Sequence, residues 1–110
     1  LKEVTPNILD LLEFSKLTSE NVDYFVFHQA NKLINESIRK KLNLNTEKVP
    51  YSIERYGNTS SASIPMTILH CLQGELKNKK LLLSGFGVGL SWGSAIINFD
   101  DVVCFPIIEL

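Results

Sequence analysis

The sequence predicts one α/β domain, and three observations carry that expectation. Apolar residues recur at helical spacing in three separate segments, and apolar runs of strand length stand between and after them. The chain has 110 residues, 45% of them apolar, which suffices for one ordinary core. The expected order is helix, strand, helix, link, helix, strand, strand.

The first helix is expected over residues 6–16. Ile8, Leu9, Leu11, Leu12 and Phe14 follow a helical period, Pro6 stands ahead of them and Asp10 falls in the early turns. Ser19-Glu20-Asn21 supplies turn chemistry before Tyr24-Phe25-Val26-Phe27, a short strand that ends at His28. From Ala30, Leu33, Ile34, Ile38 and Leu42 recur at three- and four-residue steps, with Lys32, Glu36, Arg39 and Lys40 mostly off that stripe, so a second helix starts just after His28. Residues 49–53 read as a short strand or an extended link, and Tyr56-Gly57-Asn58-Thr59 as a turn. Ile64, Ile68, Leu69 and Leu72 mark a third helix that ends near Gly74, opens on Ser60, Ser61, Ala62 and Ser63, and is tilted or kinked at Pro65. Two strands, 80–84 and 91–99, close the chain around a glycine-rich turn at 85–89.

Composition excludes several classes. The longest apolar candidate, 81–90, is broken by Ser84, Gly85, Gly87 and Gly89 and falls short of the roughly 18–20 residues of a membrane span. Residues 1–6 show neither a secretory pattern nor an initiating Met, so the chain is expected to start partway into a longer protein. Lys and Arg number 11 against 12 Asp and Glu. An acidic opening, with Glu3, Asp10, Glu13, Glu20 and Asp23, meets a basic middle with Lys32, Arg39, Lys40, Lys41, Lys48 and Arg55. Without net positive charge or interleaved aromatics, that middle is a poor nucleic-acid platform; it is either a solvated face or a patch for an acidic partner. Two cysteines, Cys71 and Cys104, in a chain able to fold without staples read as free thiols of a reducing, cytoplasmic compartment.

Three short patterns match catalytic motifs by accident. Gly89-Leu90-Ser91-Trp92-Gly93 fits G-x-S-x-G, but Ser91 enters a strand and no histidine follows His70. Gly85, Gly87 and Gly89 miss the dinucleotide fingerprint, because the third glycine comes early and no helix follows. His70 and Cys71 are adjacent, and neither C-x-x-C nor H-x-x-x-H spacing occurs, so no metal site is expected.

His28 and Asn58 remain. His28 sits where a strand hands over to a helix, the place where open α/β sheets present groups to ligands, although a satisfied core histidine fits there too. Asn58 lies in a turn before a helix, where simple turn or capping chemistry is the alternative. The alternating glycines would let backbone approach a ligand closely, or simply make a hairpin. Together, a histidine N–H, an asparagine N–H and a loop amide suit the stabilisation of an enolate at a thioester.

Three motifs in order, His28-Gln29-Ala30-Asn31, Gly57-Asn58-Thr59-Ser60-Ser61-Ala62-Ser63 and Gly87-Val88-Gly89-Leu90-Ser91-Trp92-Gly93-Ser94, resemble the C-terminal half of β-ketoacyl-acyl carrier protein synthase III. The resemblance runs from about residue 6 to residue 99. It implies the C-terminal half of a thiolase-like fold, a mixed sheet packed with helices, with residues 100–110 as a tail of no matching function. It also implies the decarboxylative Claisen condensation of an acyl thioester with malonyl-carrier protein in fatty-acid biosynthesis. His28 and Asn58 would be the catalytic donors to the enolate, and the backbone N–H of Val88, where many relatives have Gly, the oxyanion donor. Asn31 would look toward the pantetheine arm. Lys40 and Lys41 would belong to the carrier-protein docking surface, with Lys32 beside Leu33, which stands where familiar relatives carry an arginine. No cofactor and no metal are implied.

The family's acyl-accepting cysteine lies in the N-terminal half, and neither Cys71 nor Cys104 matches it, so the chain alone is expected to be inactive. The implied partners are acyl carrier protein and an acyl-CoA or other acyl thioester, within a homodimer and with neither nucleic acid nor membrane. A half of a two-half fold leaves apolar surface uncovered, so self-association is expected. Two other readings stay open: a non-catalytic thiolase-like module that binds a carrier protein or scaffolds a partner, and a condensing enzyme of specialised lipid or secondary metabolism.

Overall fold

The computed structural model describes residues 2–87, 91–100 and 106–110. Its first helix, α1 (Val4–Phe14), lies two residues before the expected 6–16 at both ends. Pro6 falls inside the first turn, where its missing N–H has no intrahelical partner to lose. The helix stops because Lys16 turns left-handed at φ 58°, while the Lys16 and Leu17 amides donate back to Glu13 and Leu12. A 3-10 turn at Ser19–Asn21, closed by reciprocal bonds between Thr18 and Asn21, leads into β1 (Tyr24–Phe27) as expected.

Helix α2 spans Lys32–Lys41 rather than starting at Ala30. Asn31 decides this: its backbone is extended and its Oδ1 accepts the Ile34 N–H at 2.8 Å, so it caps the helix from outside. Arg39, Lys40 and Lys41 occupy the last turn, where cations complement the helix dipole. The link is not a strand. A 3-10 turn at Thr46–Lys48 is followed by a four-residue helix, α3 (Ile53–Tyr56), which the sequence pattern did not reveal. Gly57 ends it at φ 68°, ψ −159°, a region essentially open to glycine alone.

A 3-10 turn at Ser60–Ala62 opens α4 (Ser63–Cys71). Pro65 is its third residue, again where no intrahelical N–H bond is due. Strand β2 (Lys79–Gly87) runs straight through three residues of the expected glycine turn, because Gly85, Phe86 and Gly87 pair with Gly93, Trp92 and Ser91 of β3 (Ser91–Phe99). The remaining turn residues lie outside the described ones, as does Cys104.

The sheet is mixed, in the order β1-β2-β3, with β1 parallel to β2 and β2 antiparallel to β3. Both faces are covered at β1 and the middle of β2, which explains the unbroken apolar runs Phe25-Val26-Phe27 and Leu81-Leu82-Leu83, whereas β3 is largely exposed. Phe25, Phe27, Leu82 and Phe86 pack with Val4, Ile8 and Leu12 of α1 and with Ile38 of α2. Val26 and Leu81 turn to the other face, against Leu72, Leu76 and Phe99, with Ile64 and Ile68 of α4 packed alongside. Each fully buried side chain of this kind stabilises by roughly 1.5–3 kcal/mol. Leu9, Phe14, Leu33, Trp92, Ile97 and Ile108 remain exposed. From the tail, Glu109 reaches the Arg55 guanidinium at 3.1 Å. Among the described residues, no helix is long and apolar enough to cross a membrane.

Candidate functional site

The C-terminal ends of the parallel strands β1 and β2 open into one cleft of about 880 Å³, walled by three segments. His28 and Ala30 come from the loop after β1, Asn58, Ser60, Ser61, Ser63 and Ile64 from the turn and helix start after α3, and Gly85, Phe86 and Gly87 from the end of β2. His28 and Asn58, far apart in sequence, therefore face the same space. No charged residue is among the described lining residues.

The backbone of His28 is held on both sides. Its N–H continues the parallel ladder to the Ser84 carbonyl at 2.9 Å, and its carbonyl accepts from Asn35 Nδ2 at 3.1 Å. The ring stands edge-on to Phe86, with centroids 5.6 Å apart and planes at 88°. Its Nδ1 lies 2.7 Å from Ser63 Oγ, so Nε2 is the ring nitrogen left for the cleft.

Asn58 is oriented by its own turn. Oδ1 accepts the Ser60 N–H at 2.9 Å, which leaves the Nδ2 amide to donate. Ser60 adopts a left-handed φ of 58°, uncommon for a residue with a Cβ, and the Asn58 bond offsets part of its cost.

Sequence reasoning gave no role to Gln29, which ties the two loops together. The side chain is fully buried; Nε2 donates to the Phe27 carbonyl at 2.8 Å, and Oε1 accepts from the Ser52 and Ile53 amides at 3.1 and 3.2 Å. Those amides begin α3, which leads to Gly57 and Asn58. Ser63, Thr67 and Ser52 extend the buried polar chain: Thr67 Oγ1 donates to the Ser63 carbonyl at 2.7 Å and lies 2.7 Å from Ser52 Oγ. Only the membership of Gln29 and Ser63 in the two sequence motifs pointed toward them.

The other expected positions divide. The Val88 amide lies outside the described residues, although its neighbour Gly87 lines the cleft. Asn31 is exposed with Oδ1 committed to capping α2, leaving only its Nδ2 for a ligand. Lys40 and Lys41 are exposed at the end of α2. Lys32 pairs with Glu54 and lies over the Tyr51 ring at 5.7 Å; the bond to Glu54 raises the ammonium's pKa and lowers the carboxyl's. Leu33 is 85% exposed, so this helix presents an apolar residue flanked by cations.

Away from the cleft, Glu36 accepts from Arg39 at 2.8 and 3.0 Å and from the Tyr51 hydroxyl at 2.6 Å. The Arg39 bonds, helped by Tyr51, bring its carboxyl down to about 2. Desolvation, then the Glu36 bond, raises Tyr51. Burial also pushes the Cys71 thiol up, although its Sγ–H donates to the Tyr51 carbonyl at 3.2 Å. That environment suits a structural cysteine, not a nucleophile.

Residues 12–99 match the family model described as 3-oxoacyl-[acyl-carrier-protein] synthase III C terminal. The chain is 45% identical over 101 residues to the β-ketoacyl-[acyl-carrier-protein] synthase III of Streptococcus gordonii, covering 88% of this chain and 31% of that protein. Against the synthase III of Campylobacter curvus the identity is 44%, covering 90% and 30%. The solved 3-oxoacyl-(acyl-carrier protein) synthase of Burkholderia xenovorans superposes with a TM-score of 0.89 at 38% identity, over 97% of this chain and 31% of that one. The priming β-ketosynthase of the R1128 polyketide pathway gives 0.82 at 30% identity, over 91% and 31%. The chain thus spans about 30% of the length of the relatives it matches, and the α/β arrangement of helices on a mixed sheet is that of these synthases.

Proposed function

Because this chain belongs to the 3-oxoacyl-[acyl-carrier-protein] synthase III C-terminal family, we propose that it supplies the decarboxylation side of a Claisen condensation between an acyl thioester and malonyl-carrier protein in fatty-acid biosynthesis. The observation that carries this reading is the pairing of His28 and Asn58 on one cleft without charge among its described lining residues, each with one polar atom engaged by protein and another, His28 Nε2 and Asn58 Nδ2, left over.

In this reading the malonyl thioester carbonyl oxygen receives hydrogen bonds from His28 Nε2–H and Asn58 Nδ2–H. As the bond to the carboxylate breaks, its electron pair becomes the enolate and carbon dioxide departs. Two N–H donors favour that developing oxyanion more than the neutral carbonyl, which lowers the barrier. The enolate carbon then attacks an acyl group carried on a cysteine thiol, forming the carbon–carbon bond and releasing thiolate. That cysteine belongs to the part of the relatives' length that this chain does not span, and the half-buried, hydrogen-bonded Cys71 is no substitute. The Val88 amide would hold the second oxyanion, and Asn31 Nδ2 the pantetheine arm.

Lys40 and Lys41, with Lys32 alongside and Leu33 between, are the proposed docking surface for the acidic carrier protein, and the synthase works as a homodimer in the cytoplasm. Exposed Phe14, Trp92 and Ile97 support association with further protein surface.

The test is malonyl-carrier-protein decarboxylation by the full-length synthase carrying this chain, comparing wild type with His28→Ala and Asn58→Ala. Both substitutions should abolish most decarboxylation while acyl loading survives. Unchanged decarboxylation in both variants, or none in the wild type, would overturn the reading in favour of a non-catalytic scaffold. An assay over a series of acyl primers would then separate fatty-acid initiation from specialised metabolism.

A further inference from the structure

We propose that Ser63 is a positioning residue that holds His28 in the tautomer protonated at Nε2, an inference that rests on the reading of His28 as a donor to the enolate. Ser63 is 1% exposed, its Oγ accepts the Gln29 N–H at 3.2 Å, and it lies 2.7 Å from His28 Nδ1. A hydroxyl has one proton to give. Were the imidazole protonated at Nδ1, Ser63 Oγ would accept twice, from Gln29 and from the ring, and its own proton would need another acceptor. Among the described residues, the contacts of Ser63 Oγ offer none besides Nδ1. A buried hydroxyl with an unpaired proton is costly, so the hydrogen bond runs from Ser63 O–H to Nδ1 and the ring proton sits on Nε2.

The surroundings make this direction rigid. Ser63 is the first residue of α4, its carbonyl is held by Thr67 Oγ1, and the ring is braced edge-on by Phe86. Swinging the serine hydroxyl away would leave the Gln29 N–H without its acceptor, and turning the imidazole would break its edge contact with Phe86. With Nε2 protonated, the cleft edge of the ring donates; with Nδ1 protonated, it would present a lone pair to a developing negative charge. Ser63 therefore acts on the chemistry through His28 and touches no reacting atom.

The experiment uses the full-length synthase carrying this chain, labelled with 15N in its histidine rings, with His28 identified by the signals lost in His28→Gln. At a pH where the ring is neutral, the wild type should show an unprotonated, pyridine-type Nδ1 and a protonated, pyrrole-type Nε2. Ser63→Ala should move the two signals toward the opposite tautomer or an average, and lower kcat for decarboxylation by roughly 10- to 100-fold with KM little changed. Ser63→Thr, which keeps the hydroxyl, should restore the wild-type pattern.

A protonated Nδ1 in the wild type overturns the proposal, and so does a Ser63→Ala pattern identical to wild type; the first needs no Ser63 variant to fold. The tautomer is read without turnover. An inactive wild type with protonated Nε2 would thus sink the functional reading alone, and an active wild type with protonated Nδ1 would sink this proposal alone.

Discussion

Gln29 Oε1 accepts the Ser52 N–H at 3.1 Å, so the residue that follows His28 holds the start of the short helix that delivers Asn58. The segments that bear His28 and Asn58 are thereby parts of one hydrogen-bonded unit and not two independent loops.

Replacing Gln29 should show this directly. Gln29→Leu leaves the Ser52 and Ile53 amides and the Phe27 carbonyl without their partner in the interior. Each orphaned group costs roughly 1–3 kcal/mol, partly relieved by relaxation, so a loss of about 2–4 kcal/mol is expected in urea unfolding. A loss below about 0.5 kcal/mol would show that the unit is not structural.

Asn58→Asp separates the two roles of the amide. The carboxylate can still accept from the Ser60 N–H, which keeps the turn, but it no longer donates and it adds charge beside the enolate. Decarboxylation should fall by at least roughly 10²–10³-fold while the unfolding midpoint stays near wild type. Equal activity in the two proteins would remove Asn58 from the machinery.

Acid stability should depend on Glu36. Its folded pKa, about 2, lies below the ordinary 4.5, chiefly through Arg39. The unfolded chain therefore binds the proton first as pH falls. The contribution is fully present above about pH 4.5 and is lost as pH drops toward 2. Urea midpoints measured across that window should decline less steeply in Glu36→Gln than in wild type. Tyr51 works in the opposite sense: its raised pKa contributes stability below its ordinary value that is lost at strongly alkaline pH, and Tyr51→Phe should remove that loss.

The exposed end of α2 makes a salt-dependent prediction for carrier-protein docking. Lys40→Ala and Lys41→Ala should each weaken apparent affinity for malonyl-carrier protein by about 0.2–1 kcal/mol at low salt, and less at high salt. Leu33→Arg should strengthen it, since that side chain is already in solvent and the change disturbs no core. KM measured over a salt series is the check, and salt-independent values would move the docking surface elsewhere.

Cys71 should react slowly. Burial raises its thiol pKa and the hydrogen is donated to Tyr51, so in a Cys104→Ser background a thiol-specific reagent should modify the native chain far more slowly than the urea-unfolded one. Comparable rates would contradict the half-buried, hydrogen-bonded placement of the thiol.

Much of this molecule was legible in its residues. Apolar spacing located α1, β1, α2, α4 and β3, because both a helix stripe and a strand run are dictated by local geometry. The motifs around His28 and Asn58 singled out both members of the cleft. Boundaries were less legible: Asn31 capped a helix that spacing alone would begin at Ala30, and Lys16 ended one by turning left-handed. Glycines 85 and 87 looked like a turn and are strand, since the ladder to Gly93 and Ser91 is made by backbone and takes no account of missing side chains.

The residues alone carry most of the order of elements, α3 excepted, and the lack of charge among the motif residues that face the cleft, since both depend on neighbours a few positions apart. The orientation of His28 and Asn58 follows from the folded arrangement. The contacts that orient them join Gln29 to Ser52 and His28 to Ser63 and Phe86, residues 23, 35 and 58 positions apart. No local period encodes such contacts; they exist because β1 and β2 lie side by side, with α4 packed across the face that leads to their ends.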